Sequence, residues 1–240
     1  MSPVRSERQV GTVAALWRYP VKSMAAESLD AAEIGWSGVA GDRRWAFVRP
    51  DAERNGFPWH TIRDLSTMCR YVARLTDPAR PDGASVEVCT PGGATYDVSD
   101  PALAAELGEG VRVFRQHRGT FDDSPLTLIT STTVATLCGV AGVPADPRRF
   151  RPNLLLTPTD DVPYIEDEWL SAELTIGDAQ VRVDQRDPRC TIVDVDPRTG
   201  QTDASLLKVI GRERRARAGV YATVVRPGRV GLGDPVTLRV

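Results

Sequence analysis

Cys190 sits in the run Arg186-Asp187-Pro188-Arg189-Cys190-Thr191, between two stretches of strand-like sequence. A thiolate is both a nucleophile and a soft metal ligand, and neighbouring guanidinium groups favour the ionised form. Pro188 fixes the direction from which the cysteine is approached. From these residues alone, metal ligation, nucleophilic sulfur chemistry and plain burial all stay open. The other three cysteines, Cys69, Cys89 and Cys138, are scattered and read as small buried hydrophobes. No CxxC pair occurs and the only histidines are His60 and His117, so the close ligand pairs of a structural zinc site are absent.

A second set of residues is cationic. Lys22-Ser23 follows Tyr19-Pro20-Val21, and Gly41-Asp42-Arg43-Arg44-Trp45 sets two guanidinium groups before an apolar stretch. Arg149-Phe150-Arg151-Pro152-Asn153 leads into Leu154-Leu155-Leu156. Singly, these are equally a solvated turn lysine, an arginine packed on tryptophan and an arginine paired with an acidic loop. Together, Lys22, Arg43, Arg63 and Arg151 offer fixed cations suited to a small dianionic phosphate, and the Asn153 amide can read donors and acceptors on a heterocycle.

The elements that must position them are mostly strands. Two-residue alternation marks Val86–Val88, Val111–Val113, Val181–Val183 and Val220–Val224. Pro91-Gly92-Gly93, Asp196-Pro197-Arg198-Thr199-Gly200, Arg226-Pro227-Gly228 and Gly233-Asp234-Pro235 read as turns between them, a pattern that predicts barrel-like sheets. Helices are expected from Pro101 to Leu107, from Thr130 to Leu137 with a stop near Gly139, and from Asp203 to about Arg217 with a stop at Gly219. Asp77 to Gly83 reads as a loop, and the seam of the chain falls near His117 to Asp123, ahead of the strand Leu126-Thr127-Leu128-Ile129.

The chain has 240 residues, 41% of them hydrophobic, with 30 basic and 32 acidic side chains and a formal charge of −2. That balance argues against nucleic acid as a partner. The polar stretch Met1 to Gln9 has no signal-peptide core, and no run of about 18 apolar residues offers a membrane span. The expectation is a cytoplasmic protein with reduced thiols.

In order and spacing, these motifs resemble the MOSC family. They run Tyr19-Pro20-Val21-Lys22-Ser23, Gly41-Asp42-Arg43-Arg44-Trp45, Thr61-Ile62-Arg63, Ser124-Pro125-Leu126, Ser131-Thr132-Thr133 and Arg149-Phe150-Arg151-Pro152-Asn153. Glu166-Asp167-Glu168-Trp169, Arg189-Cys190, Gly219-Val220-Tyr221 and Gly231-Leu232-Gly233-Asp234 follow. The preceding segment is similar to the N-terminal β-barrel domain found in the mitochondrial amidoxime-reducing component and its bacterial relatives. The resemblance spans Val10 to Val240. It implies a mainly β (α+β) fold, with an N-terminal barrel-like domain over residues 9–118 packed on a MOSC β-barrel over 119–240 with a few short helices.

The resemblance further implies a molybdenum cofactor with Cys190 as the metal's protein ligand. Lys22, Ser23, Arg43, Arg151 and Asn153 would hold the phosphate and ring of the pterin. Arg63, Thr130, Ser131 and Thr133 belong to the same implied pocket, with Tyr221 near the metal. The implied activity is a two-electron reduction of small N-hydroxylated or N-oxide substrates. Its electrons would come from a separate ferredoxin- or flavin-type reductase. A persulfide-carrying Cys190 and a non-catalytic cofactor carrier are the alternatives. The sequence departs from the family in two places: Asp187 stands where many relatives carry a second cysteine, and Met24-Ala25-Ala26 replaces a polar, glycine-containing element. A cysteine-rich ferredoxin domain and a membrane anchor are not expected.

Overall fold

The computed structural model describes residues 7–55 and 57–239. Its largest sheet has eight strands, of which Glu27–Leu29 lies at the edge and seven make a barrel. The seven are β1 (Glu7–Arg18), β2 (Leu126–Thr130), β3 (Leu154–Pro158), β4 (Glu173–Ile176), β5 (Ala179–Pro188), β6 (Arg217–Arg226) and β7 (Pro235–Arg239). Their order is β3-β2-β6-β5-β4-β7-β1, and β1 pairs again with β3, so the sheet closes into a barrel. β2 and β3 run parallel; the other neighbours are antiparallel. At the closing seam a Cβ on Gly11 would lie 2.5 Å from the Thr157 carbonyl oxygen, so only glycine lets β1 come this close to β3.

The two-residue period decides which side chains fill the barrel. Leu126, Leu128, Leu154, Leu156, Val181, Val183, Val220 and Ala222 share its interior. Every residue of β2 is buried because Ile129 faces the opposite way, into a layer made by two helices. Those helices are α2 (Ser131–Ala141) and α3 (Ser205–Arg214); α1 (Pro101–Leu107) lies earlier in the chain. α1 begins as expected, with the Asp100 carboxylate accepting from the Ala102 N–H, and ends at Gly108.

Two helix ends differ from the sequence expectation. α2 passes through Gly139 and stops at Gly142, whose φ of 70° is the left-handed turn that ends a helix. Gly139 is merely an exposed helical position. α3 stops at Arg215 instead of Gly219, since Arg217 already pairs with Pro188 in the β5–β6 ladder.

Between β1 and β2 the chain builds small three-stranded sheets. One joins Trp45–Val48 to Arg112–Arg115 and Trp59–His60; another joins Val72–Leu75, Val86–Cys89 and Thr95–Asp97. A separate core including Phe47, Ile62, Met68, Val86, Val88 and Leu103 holds this region together. The expected seam near residue 118 falls in the connection from Arg115 to β2, yet β1, from the other side of that seam, is a stave of the barrel. The barrel and the second core are therefore tied through β1 and also through Ile192 and Val195, which follow β5 and pack in the second core. Among the described residues no helix is long and apolar enough to cross a membrane.

Asn153, expected at the pterin, is instead fully buried between strands. Its Oδ1 accepts from the Thr127 N–H at 3.2 Å and its Nδ2 donates to the Trp17 carbonyl at 3.3 Å, fastening β1 to β2 beside β3. Removing it strands two buried backbone groups. Asn153→Ala is predicted to lower unfolding free energy by about 2–4 kcal/mol, measured by denaturant unfolding. A loss below about 0.5 kcal/mol would contradict this structural role.

Candidate functional site

β1 ends at Arg18, and Tyr19-Pro20-Val21 carries the chain from the barrel to the second core. Val21 bridges to Trp45, and the Lys22 N–H donates to the Trp45 carbonyl at 2.8 Å. The buried Asp42 carboxylate accepts from the Tyr19 N–H at 2.7 Å and pairs with the Arg43 guanidinium. The Tyr19 ring is fully buried and meets two guanidinium groups, Arg43 at 4.6 Å and Arg151 at 4.3 Å from its centroid. Burial pushes the Tyr19 hydroxyl up to about 12 against the pull of both arginines. That hydroxyl donates to the Pro152 carbonyl at 3.2 Å.

Arg43 and Arg151 both have left-handed backbones, with φ of 49° and 51°. Such angles are costly outside glycine and persist where surrounding contacts hold them. Here they turn both side chains onto Tyr19, and Arg43 Nη2 donates to the Arg151 carbonyl at 3.0 Å. Burial, with Arg43 nearby, lowers Arg151 to about 10, and its Nη2 is buried without a hydrogen-bond partner. A buried donor left unpaired is expensive, so this nitrogen marks a place for an acceptor.

Lys22 approaches from the same side. Its Nζ donates to the Thr120 carbonyl and to Asp122 Oδ1, both at 2.7 Å. Burial lowers the Lys22 ammonium's pKa. Burial also pushes the Asp122 carboxyl up, but the Lys22 charge and hydrogen bond outweigh this and hold it below the usual carboxylate range.

The opposite wall is the end of β5. Bulges in the β5–β6 ladder between Val183 and Gln185 and between Arg186 and Pro188 bend the strand toward the cleft. Cys190 follows, half-buried, at the start of the short turn Thr191–Asp194. Two arginines clamp this corner. Arg189 donates to the Ala218 and Phe150 carbonyls at 2.7 and 2.8 Å. Arg149 donates to the Val193 and Asp194 carbonyls, both at 3.3 Å.

The guanidinium groups that flank Cys190 in sequence are both committed to carboxylates: Arg186 to Asp167 at 2.9 Å and Arg189 to Asp187 at 2.6 Å. The uncompensated positive flanks expected from the sequence are thus replaced by ion pairs. Asp187, buried at 3% exposure, also takes a hydrogen bond from Tyr221. Its carboxyl rises to about 6 because burial outweighs the Arg189 charge. Burial and the Asp187 charge in turn raise the Tyr221 hydroxyl.

These segments enclose one cleft of about 630 Å³, counting the solvent at its mouth. Of the expected site residues, Lys22, Ser23, Arg43, Arg63, Arg151, Cys190 and Tyr221 line it. Thr130, Ser131, Thr133 and Asn153 do not. The Thr130 and Thr133 hydroxyls donate to the buried Glu166 at 2.8 and 2.9 Å, and Ser131 opens α2. Asp122, Arg149, Asp187 and Arg189 also line the cleft, though none was expected among the cofactor-binding residues. Their signal was adjacency to the marked motifs, which does not say which way a side chain turns. The six basic side chains on the wall, Lys22, Arg43, Arg63, Arg149, Arg151 and Arg189, share it with Asp122 and Asp187; even with Asp42 paired to Arg43 and Asp196 to Arg149, the excess of positive charge favours an anionic ligand.

The model of the MOSC domain matches residues 115–237, and that of the MOSC N-terminal beta barrel domain matches residues 10–123. The chain belongs to the MOSC domain family. Human mitochondrial amidoxime-reducing component 1 is 26% identical over 301 residues, covering 98% of this chain and 86% of that protein. The molybdenum cofactor sulfurase of Drosophila mojavensis is 26% identical over 249 residues, covering 85% of this MOSC protein. The match takes in only 30% of the sulfurase's own length. The crystal structure of the YUAD protein from Bacillus subtilis superimposes with a TM-score of 0.55 at 12% identity, covering 98% of each chain, and so shares the fold.

Asp187 gives this cleft a pH signature. Its carboxyl titrates at about 6 in the folded protein against an ordinary 3.8, so the folded state binds that proton more tightly than the unfolded one. Stability contributed by Asp187 is then predicted to fall by roughly 2–3 kcal/mol as pH rises from about 4 to about 6, and to level off above. Asp187→Asn should flatten that part of the curve, read from unfolding free energies at several pH values. An unchanged slope in the variant would refute the assignment.

Proposed function

We propose that this MOSC protein holds a molybdenum cofactor in the cleft and uses it to reduce small N-hydroxylated or N-oxide compounds. The observation that carries the proposal is the meeting of a half-buried thiol, Cys190, with the unpaired Arg151 guanidinium nitrogen in one cationic cleft. Among the described residues no three His, Cys, Asp or Glu side chains are grouped to hold a metal ion. A metal at Cys190 must therefore bring most of its ligands with it, as the dithiolene sulfurs of a pterin do. The donor set fits: a soft thiolate at one end and hard cations for a phosphate at the other.

Lys22, Ser23, Arg43 and Arg151 would bind the phosphate, with Arg151 gaining the acceptor it lacks. Arg149 and Arg189 fix the Cys190 turn, while Asp187 and Tyr221 supply a hydrogen-bonding wall beside it. When bound, the cofactor supplies two-electron oxygen-atom chemistry; the protein supplies placement and charge. In the overall reaction the N–O bond breaks, two electrons and two protons are consumed, and the oxygen leaves as water. The electrons come from a separate ferredoxin- or flavin-type donor. On this reading residues 9–118 contribute Lys22, Ser23 and Arg43, residues 119–240 contribute Arg151 and Cys190, and the protein works in the cytoplasm. The similarity to molybdenum cofactor sulfurases favours a second reading, in which Cys190 carries sulfur as a persulfide. With aspartate at position 187, a relay between neighbouring thiols has no partner there.

Molybdenum content after expression in a cofactor-producing host separates these readings. The wild type is expected to retain the metal, and Cys190→Ala to lose it while keeping the unfolding midpoint of metal-free wild type. Equal molybdenum in both would overturn the ligand assignment, and a persulfide on Cys190 in mass spectra of metal-free protein would favour the second reading. Arg151→Ala is expected to lower molybdenum content as well, by about tenfold for the loss of one buried charge-assisted contact.

A further inference from the structure

A second cavity opens beside the first, about 640 Å³ including the solvent at its mouth. It shares two residues with the cofactor cleft, Arg63 and Ile192, and Thr191, next to Cys190 in the chain, lies on its wall. Ile62, Ile192 and Val195 give it an apolar side, and Asp64, Ser66 and Thr202 complete its wall. A molecule lying here has one end at the Cys190 turn and its body outside the cationic cleft.

Arg63 stands where the two cavities join. It is exposed, with its guanidinium 4.3 Å from the centroid of the Phe57 ring. Among the described residues no carboxylate pairs with it. Its chain neighbour Asp64 is taken by Arg49 at 2.6 Å and by the Thr61 N–H and hydroxyl at 2.8 and 3.1 Å. Asp122, also on the cleft wall, accepts a hydrogen bond from Lys22. The other cleft cations differ: Lys22, Arg43, Arg149 and Arg189 all bond to protein oxygens, and Arg151 lies stacked on buried Tyr19. Arg63 is thus the exposed cation shared by the two walls, ion-paired with none of the described carboxylates although its charge reaches Asp122, and it borders the apolar side.

We propose that this second cavity is the substrate subsite and that Arg63 selects N-oxygenated substrates bearing an acidic group on an apolar body. The proposal rests on the cofactor reading for the identity of the reacting group, but not for the charge preference. The apolar body covers Ile62, Ile192 and Val195, the N–O end points to Cys190, and the acid lies under the guanidinium. Planar bidentate pairing to a carboxylate is what arginine geometry provides. The phosphate of the cofactor is left to the more buried cations.

The test uses the protein as isolated from a cofactor-producing host, with benzamidoxime and its 4-carboxylate as probes. Equilibrium binding is measured by calorimetry for the wild type, Arg63→Ala and Arg63→Glu, with molybdenum content determined on each sample. The carboxylate should bind the wild type about fivefold more tightly than the neutral probe, the upper range for an exposed charge pair. That preference should vanish in Arg63→Ala and reverse in Arg63→Glu, with molybdenum content unchanged. Thr202→Trp, which adds bulk to the wall, should weaken both probes together. Equal binding of the two probes to the wild type, or no binding of either, overturns the proposal. A fall in molybdenum in Arg63→Ala also overturns it and assigns the residue to the cofactor. A charge preference that persists in a metal-free wild type supports the subsite while removing the cofactor reading.

Discussion

Arg43 and Arg151 reach the same tyrosine from segments 108 residues apart. Two buried like charges so placed repel each other, and each has lost much of its water. The Tyr19 π-face, the buried Asp42 carboxylate and the Arg151 carbonyl offset that cost only in part, since Arg151 retains a buried nitrogen without a partner. The cleft's own residues therefore leave part of this positive charge without a partner. Everything else about the site follows from this. The left-handed residues that aim the two arginines, the carbonyls that hold Lys22 and the clamps on the Cys190 turn all preserve a positive concavity that solvent alone would not maintain.

The barrel makes that arrangement rigid. β1 is a stave between β7 and β3, and its continuation, Tyr19 to Ser23, carries the first cations into the second core. Arg151 enters just before β3, which pairs with β1, so both halves of the cationic wall are registered to the same pair of strands. The Cys190 corner is set independently by the bulged end of β5. Three anchoring points on one closed sheet leave little freedom for the groups between them. The adjacent groove is built otherwise: its cation, Arg63, projects from a turn rather than a strand.

Much of this was legible in the residues. Alternation in Val181–Val183 and Val220–Val224 marked barrel strands, Asp100-Pro101 marked the start of α1, and the order of the motifs carried the family. Helix ends read less well. Gly139 and Gly142 are equally plausible stops by type, and only the packing of Leu137 and Cys138 on the barrel carries α2 onward to the second. Arg215 ends α3 because the following residues are claimed by the β5–β6 ladder, a long-range demand that no local window contains.

The sequence by itself determined that this chain has a reactive type of residue at position 190 and several cationic motifs set along the chain before it. Which side chains face one another was decided by the tertiary structure. Asn153 reads like a ligand group until strand pairing consumes both ends of its amide; Thr130 and Thr133 read likewise until Glu166 takes their hydroxyls. Arg186 and Arg189 look like activators of a thiol until Asp167 and Asp187 pair with them. The physical reason is common to all: a polar group's chemistry depends on what it is bonded to, and in a closed barrel most partners come from strands distant in the chain.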